Sequence, residues 1–362
     1  MRKLYVLLPV LIAGVIFISA TSSSKTIKSP AANIQSMSAL AFGPDGILFI
    51  GDSKSAVVFA INTADTRKGK ANAFDMKNID QKIAAALGTE VANINITDMA
   101  VNPVSKKLYI AVQTKDGSAA LLRIEGDKLE AVNVKDLAFT SVALNNAPAE
   151  DAKDNRGRPL RISTVSDLGY ADGKLLVSGL SNHEFASSFK SIPYPFTIAQ
   201  DESTLEIYHT SHGRYETTAP VRTFTTATIN NKKYLVASYT CTPLVLFPMD
   251  ELKPGAHVKG RTVAEMGNGN SPLDLFTLGE GSESYLVIAN TKYPLAKVDY
   301  KNLAAFEGTL TEKIQGTGGV PFKATALTNV TQMDKLDNKQ IVVIQKKESG
   351  DLDLVTTNAA AL

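Results

Sequence analysis

Six times in this chain a short apolar strand pair recurs, and the period of that recurrence constrains the fold more than any other feature. The second strand of the pair reads ILFIG from Ile47, LYIAV from Leu108, LLVSG from Leu175, LVASY from Leu235, LVIAN from Leu286 and VVIQK from Val342, with starts 51 to 67 residues apart. The strands ahead of them read SALAFGP, DMAVNP, DLGYAD, TFTTATI, DLFTLG and KATALTN. Turns such as Pro44-Asp45-Gly46 and Asp172-Gly173 join each pair into a hairpin. The period is too long for helical repeats and matches one four-stranded blade with its loops. The expected fold is all-β, a single propeller of six blades, with five or seven blades as the alternatives because outer strands carry a weaker pattern. Radial repetition of this kind leaves few exposed strand edges.

The two ends of the repeat region are set by different chemistry. Arg2 and Lys3 precede an apolar run from Leu4 to Ile18, and Ile18-Ser19-Ala20 then leads into a Ser/Thr cluster. That is the pattern of a secretory signal over residues 1–20, with an uncleaved anchor as the alternative reading. Pro9 and Gly14 interrupt the run and Ala20 suits cleavage, so no membrane span is expected in the mature chain. Residues 21–33 read as a disordered polar linker, and residues 34–362 as the propeller domain. Within it, Asn78 to Gly88 carries Ile79, Ile83 and Leu87 at helical spacing, which predicts a short helix on the propeller flank. Residues 145–161 read as a solvated charged loop.

Without Arg2 and Lys3 the chain holds 36 Lys+Arg against 36 Asp+Glu. A neutral chain of this kind lacks the basic excess of a nucleic-acid partner. Cys241 is the one cysteine, so no intrachain disulfide can form despite the export signal. Stability must come from packing.

The opening SALAFGPDGILFIGD resembles the first blades of six-bladed propellers of the NHL, SMP-30 and strictosidine-synthase type. The runs SNHEFASSF from Ser181, HGRYETTAPVRTF from His212, YTCTPLV from Tyr239 and GNSPLDL from Gly269 are similar to an uncharacterised family of exported bacterial propellers. The resemblance implies the fold and supplies no catalytic roles.

Candidate chemistry concentrates between His209 and Leu244. In a propeller, the turns after each second strand and the approaches to each inner strand share one face. Those positions hold His183, Glu184, Tyr239 and Cys241 on turns and Arg222 on an approach. With Arg214 they are expected to converge as a ligand site at the channel mouth, where the arginines favour a small anionic or carboxylate ligand. Glu184 and Glu216 could instead neutralise both arginines in a structural salt-bridge knot. Asp98, Asp167 and Asp274 begin inner strands and form an expected channel ring. Such aspartates can simply accept backbone N–H groups of the neighbouring blade and hold the ring closed. Lys323 is expected on a further inner-strand approach.

Neither a cofactor nor a metal is fixed by the sequence. The three aspartates with Asn182 and Asn290 could bind calcium in the lactonase manner, and His183, His209, His212 and Cys241 carry donors suited to copper or zinc. His209-x-x-His212 is not a diagnostic spacing. Cys241 would need a base such as His183 to act as a nucleophile, and otherwise is a buried, inert thiol. Two functions remain: an exported propeller binding a small molecule or partner protein at its face, or an enzyme there, either a metal-assisted lactonase-like hydrolase or a quinoprotein-like oxidoreductase.

Overall fold

The computed structural model describes residues 32–362; the signal segment and most of the linker lie outside the described residues. Six antiparallel sheets surround a central channel. Blade I is built from Ala39–Phe42, Ile47–Asp52, Val57–Asn62 and Phe139–Ala143, and blade II from Ile94–Val101, Leu108–Thr114, Ala119–Glu125 and Lys128–Val132. Blade III holds Asp167–Ala171, Lys174–Leu180, Ser187–Pro193 and Asp201–His209, extended by Arg214–Glu216 and by the parallel strand His257–Lys259. Blade IV is Thr223–Ile229, Lys232–Ser238, Pro243–Pro248, Arg261–Met266 and Thr317–Gly319. Pro272–Leu278, Tyr285–Asn290, Ala296–Asp299 and Lys323–Ala324 form blade V, while Val330–Lys335, Gln340–Lys346, Leu352–Asn358 and Asp75–Met76 form blade VI.

All six apolar runs read from the sequence are second strands. They are apolar throughout because both faces of a second strand pack against neighbouring blades. The hairpin turns follow their chemistry: Asp172 and Gly173 both take positive φ, 52° and 74°, as a two-residue turn between twisted strands requires. Close approach of the segment leading into an inner strand explains the small residues that end some second strands. A Cβ on Gly179 would stand 2.1 Å from the Thr164 carbonyl oxygen, so only glycine fits.

The order of blades around the ring differs from their order in the chain. Asp98 in blade II accepts the Leu40 N–H of blade I at 2.6 Å, and Asp334 in blade VI accepts the Val101 N–H of blade II at 2.6 Å. Blade II therefore stands between blades VI and I, and the ring runs II, I, III, IV, V, VI. The apolar clusters agree. Leu48, Ile50 and Phe59 of blade I pack with Ala100, Tyr109 and Leu121 of blade II, while Phe49 and Val58 pack on the other side with Leu168, Leu175 and Val177 of blade III. After three strands of blade I, the chain crosses to the edge of blade VI at Asp75–Met76. It then builds blade II and returns to finish blade I with Phe139–Ala143. The pairing of Asp75–Met76 with Leu352–Asn358 ties an early segment to the C-terminal strand.

The predicted flank helix is Ile79–Ala86, which we call α1; its fully buried Ile79 and Ile83 insert among residues of blades II and VI. Two expectations are corrected. Ala32, placed in a disordered linker by its composition, is 1% exposed and packs with Met37 and blade I. Lys323 does not approach an inner strand: Lys323–Ala324 is the outer strand of blade V, and the inner strand of blade VI is Val330–Lys335. KATALTN has the more apolar alternation, but an inner strand that faces a polar channel has no need of it.

Candidate functional site

The inner strands enclose a cavity of about 700 Å³, lined among others by Asp98, Asp167, Asp274 and Asp334. Asp98 and Asp167 occupy equivalent places. Each accepts its own following N–H, from Met99 at 2.8 Å and Leu168 at 2.7 Å, and one N–H of the adjacent blade, from Leu40 at 2.6 Å and Phe224 at 2.7 Å. Asp334 does the same with Lys335 and Val101, two residues further along its strand. Asp274 accepts only the neighbouring Leu275 N–H, at 2.7 Å. Three carboxyls thus staple blade to blade, and one is left over.

Burial raises all four of these carboxyls above the usual aspartate range, Asp167 to about 7 and Asp334 to about 6. Mutual repulsion adds to the rise of Asp98 and Asp274, since each feels the other channel aspartates.

A second concentration of polar groups lies on the rim between blades III and IV. The strand Asp201–His209 turns through Thr210-Ser211-His212-Gly213 into Arg214–Glu216, with His209 opposite Arg214 and Ile207 opposite Glu216. Gly213 takes φ +67°, which lets the turn close. In this register His209, Arg214 and Glu216 point to one face of the hairpin. Glu216 accepts from three sides: His209 Nδ1 at 2.6 Å, His212 Nδ1 at 2.8 Å and Arg214 Nε at 3.0 Å. Burial alone would raise the Glu216 carboxyl, but the hydrogen bonds from His209, His212 and Arg214 outweigh it and hold the group down to about 2.

The facing blade contributes Cys241, whose sulfur lies 4.0 Å from His212 Nε2. Its N–H donates to Asn270 O at 2.7 Å, and the Thr242 N–H closes a turn onto Tyr239 O. Within that turn Cys241 and Thr242 take φ +69° and +55°, left-handed values that glycine or asparagine would adopt at lower cost. His209 is 2% exposed, and its Nε2 has no hydrogen-bond partner among the described residues.

The expected six-residue site divides. Arg214 and Cys241 join the His209, His212 and Glu216 cluster. Tyr239 is buried in the apolar core between blades III and IV, where burial pushes its phenol up and Ser187, beside it, partly offsets the rise. His183 and Glu184 are exposed, and His183 faces Glu202 at 3.6 Å rather than Cys241, so it is not placed as the base that a nucleophilic Cys241 would need. Glu202 is also the partner of the buried Lys190. Arg222 stands on the approach to blade IV, with Asp167 as its charge neighbour, and its guanidinium makes no ion pair or side-chain hydrogen bond among the described residues. Of the two carboxylates expected to neutralise the arginines, Glu216 does so for Arg214 alone.

Two groups escaped the sequence reading. Asp334 lay in a strand too polar to be recognised. Glu216 was read as a counter-ion, although HTSHGRYE, taken as a hairpin around Gly213, places it beside both histidines.

The fold and rim define a class: a six-bladed β-propeller with a staple ring of aspartates and a His/Cys/Glu cluster at one blade junction. No protein-family model and no curated protein sequence matches the chain. Among solved structures it is similar to Raptor of Chaetomium thermophilum, at 11% identity over 92% of this chain with a TM-score of 0.35; the chain spans 25% of that protein. It is also similar to Drosophila Plexin A, solved in complex with Semaphorin 1b, at 9% identity over 91% of this chain and 86% of that one with a TM-score of 0.40. Among the described residues, no helix is long and apolar enough to cross a membrane.

Proposed function

We propose that this is an exported propeller of the NHL and SMP-30 style that binds a small anionic ligand on the face where blades III and IV meet. The observation that carries the reading is Arg222, a cation at that face with no ion pair among the described residues. Its one charged neighbour, Asp167, is held partly protonated near neutral pH and so does not cancel it. At the same blade junction the Ser187 and Tyr239 hydroxyls are buried with no hydrogen-bond partner beyond each other among the described residues, and buried polar atoms without further partners are places where a ligand or ordered water belongs. A planar guanidinium suits a carboxylate or phosphate, held by paired hydrogen bonds.

Thermal-shift screening of small carboxylates and phosphates, followed by calorimetry, tests this. A ligand that raises the melting temperature should lose about 1.5–3 kcal/mol of binding in Arg222→Gln, roughly ten- to a hundredfold, with the fold intact. Unchanged binding beside a large fall in melting temperature would make Arg222 structural and remove the site.

A further inference from the structure

We propose that His209, His212 and Cys241 form a binding site for one thiophilic transition-metal ion, copper or zinc. One donor atom from each residue lies within 4.8 Å of the other two. Around an ion at about 2.0 Å from nitrogen and 2.3 Å from sulfur, tetrahedral donors sit roughly 3.4–3.6 Å apart. Small side-chain movements close that difference, and His212 and Cys241 are accessible enough to make them.

Four further features point to an ion. Both Nδ1 atoms are already bound to the same carboxylate, Glu216, which fixes the tautomers and leaves both Nε2 lone pairs free. A carboxylate behind the imidazole is the usual support of a metal-bound histidine. His209 Nε2 is buried and has no hydrogen-bond partner among the described residues, a costly arrangement for a core imidazole and the required one for a ligand. The rings of His209 and His212 are neighbours, with centroids 3.9 Å apart and planes tilted by 42°, and one donor of each lies within 4.8 Å of the other. Last, Cys241 is brought up by backbone in the left-handed region, where a residue chosen only for its turn would be glycine or asparagine.

The donor set narrows the ion. Two imidazoles and a thiolate suit copper and zinc, and exclude calcium and magnesium, which take oxygen. His212 is 43% exposed, so a fourth position opens to solvent. Glu265, the other buried carboxylate nearby, is occupied by the Thr210 hydroxyl and the Gly267 N–H and is not a ligand. Arg222 plays no part in this site, and the proposal does not depend on the anion reading.

The purified protein, stripped with a chelator under anaerobic conditions, is titrated separately with Cu(II) and with Co(II) standing in for zinc. One ion should bind per chain. Copper should give an intense thiolate-to-metal charge-transfer band, and cobalt the visible bands of a four-coordinate site. Cys241→Ser and His212→Gln, both at accessible positions, should abolish these signals while melting like the wild type. Glu216→Gln, which removes only the support, should weaken binding about ten- to a hundredfold. Arg222→Gln should bind the ion unchanged. A strong response to copper alone, or to cobalt alone, identifies the ion. Absence of any thiolate signal, or equal stoichiometry and affinity in Cys241→Ser and His212→Gln, would overturn the site.

Discussion

Asp167 performs two tasks that two substitutions separate. Its carboxylate accepts the Phe224 N–H of the next blade and the Leu168 N–H of its own strand, both at 2.7 Å. It also sits where burial pushes it up to about 7, against the opposing pull of those N–H groups, the Thr223 hydroxyl and Arg222. In the unfolded chain an aspartate titrates near 3.8. Between those values the folded protein holds a proton that the unfolded chain has released, so stability is fully present below about pH 4 and is lost as pH rises through about 7. At about 1.4 kcal/mol per pKa unit over about three units, the loss is on the order of 4 kcal/mol. Asp167→Asn keeps an acceptor for Phe224 but has no proton to lose. Urea unfolding of both proteins from about pH 4 to about pH 8 should show the variant gaining on the wild type by an amount of that order. Any constant penalty from the amide facing Leu168 cancels, because the slope is what is read. Asp167→Ala should lie below Asp167→Asn by about 1–3 kcal/mol at every pH, since the buried Phe224 N–H is then unsatisfied. A difference between wild type and Asp167→Asn that stays flat with pH would refute the raised carboxyl.

Two other outcomes are expected. Deleting residues 353–362 removes most of the C-terminal strand, with the buried Leu354 and Leu362 and the pairing to Asp75–Met76, and should lower stability by more than the ~3–5 kcal/mol of one large core truncation; a truncated form melting like the full chain would mean that this closure contributes little. Protein recovered from its native host should begin near Thr21 and lie outside the cytoplasm, as the segment from Met1 to Ala20 leads us to expect; N-terminal sequencing that finds Met1 would reject export by cleavage.

The second strands were legible and the ring order was not, for one physical reason. ILFIG, LYIAV and their counterparts are packed on both faces whichever blade stands beside them, so their pattern is local. The place of blade II depends instead on where the chain crosses after Asn62 and returns at Phe139, and no periodicity records that path. The inner strand Val330–Lys335 shows the limit from another side. It pairs with Gln340–Lys346 through a register irregularity between Val330 and Gln332, and its channel-facing residues are polar, so hydrophobic alternation fails where the function of the strand is to line a bore. Asp334 was lost with it, although its contact with Val101 matches the contact of Asp98 with Leu40.

The rim cluster was half legible for a related reason. His209, His212, Arg214 and Glu216 are brought together by a hairpin with a seven-residue reach, and the alternation of polar groups about Gly213 carries that information in the sequence. Cys241 comes from another blade, and only the docking of blade IV on blade III sets it 4.0 Å from His212. The same docking buries His209 while leaving its Nε2 unpaired, a state a core would avoid at the cost of one substitution to an apolar residue. A histidine kept there, oriented by Glu216 and facing a cysteine held in left-handed backbone, is better accounted for by what it can bind than by what it packs against.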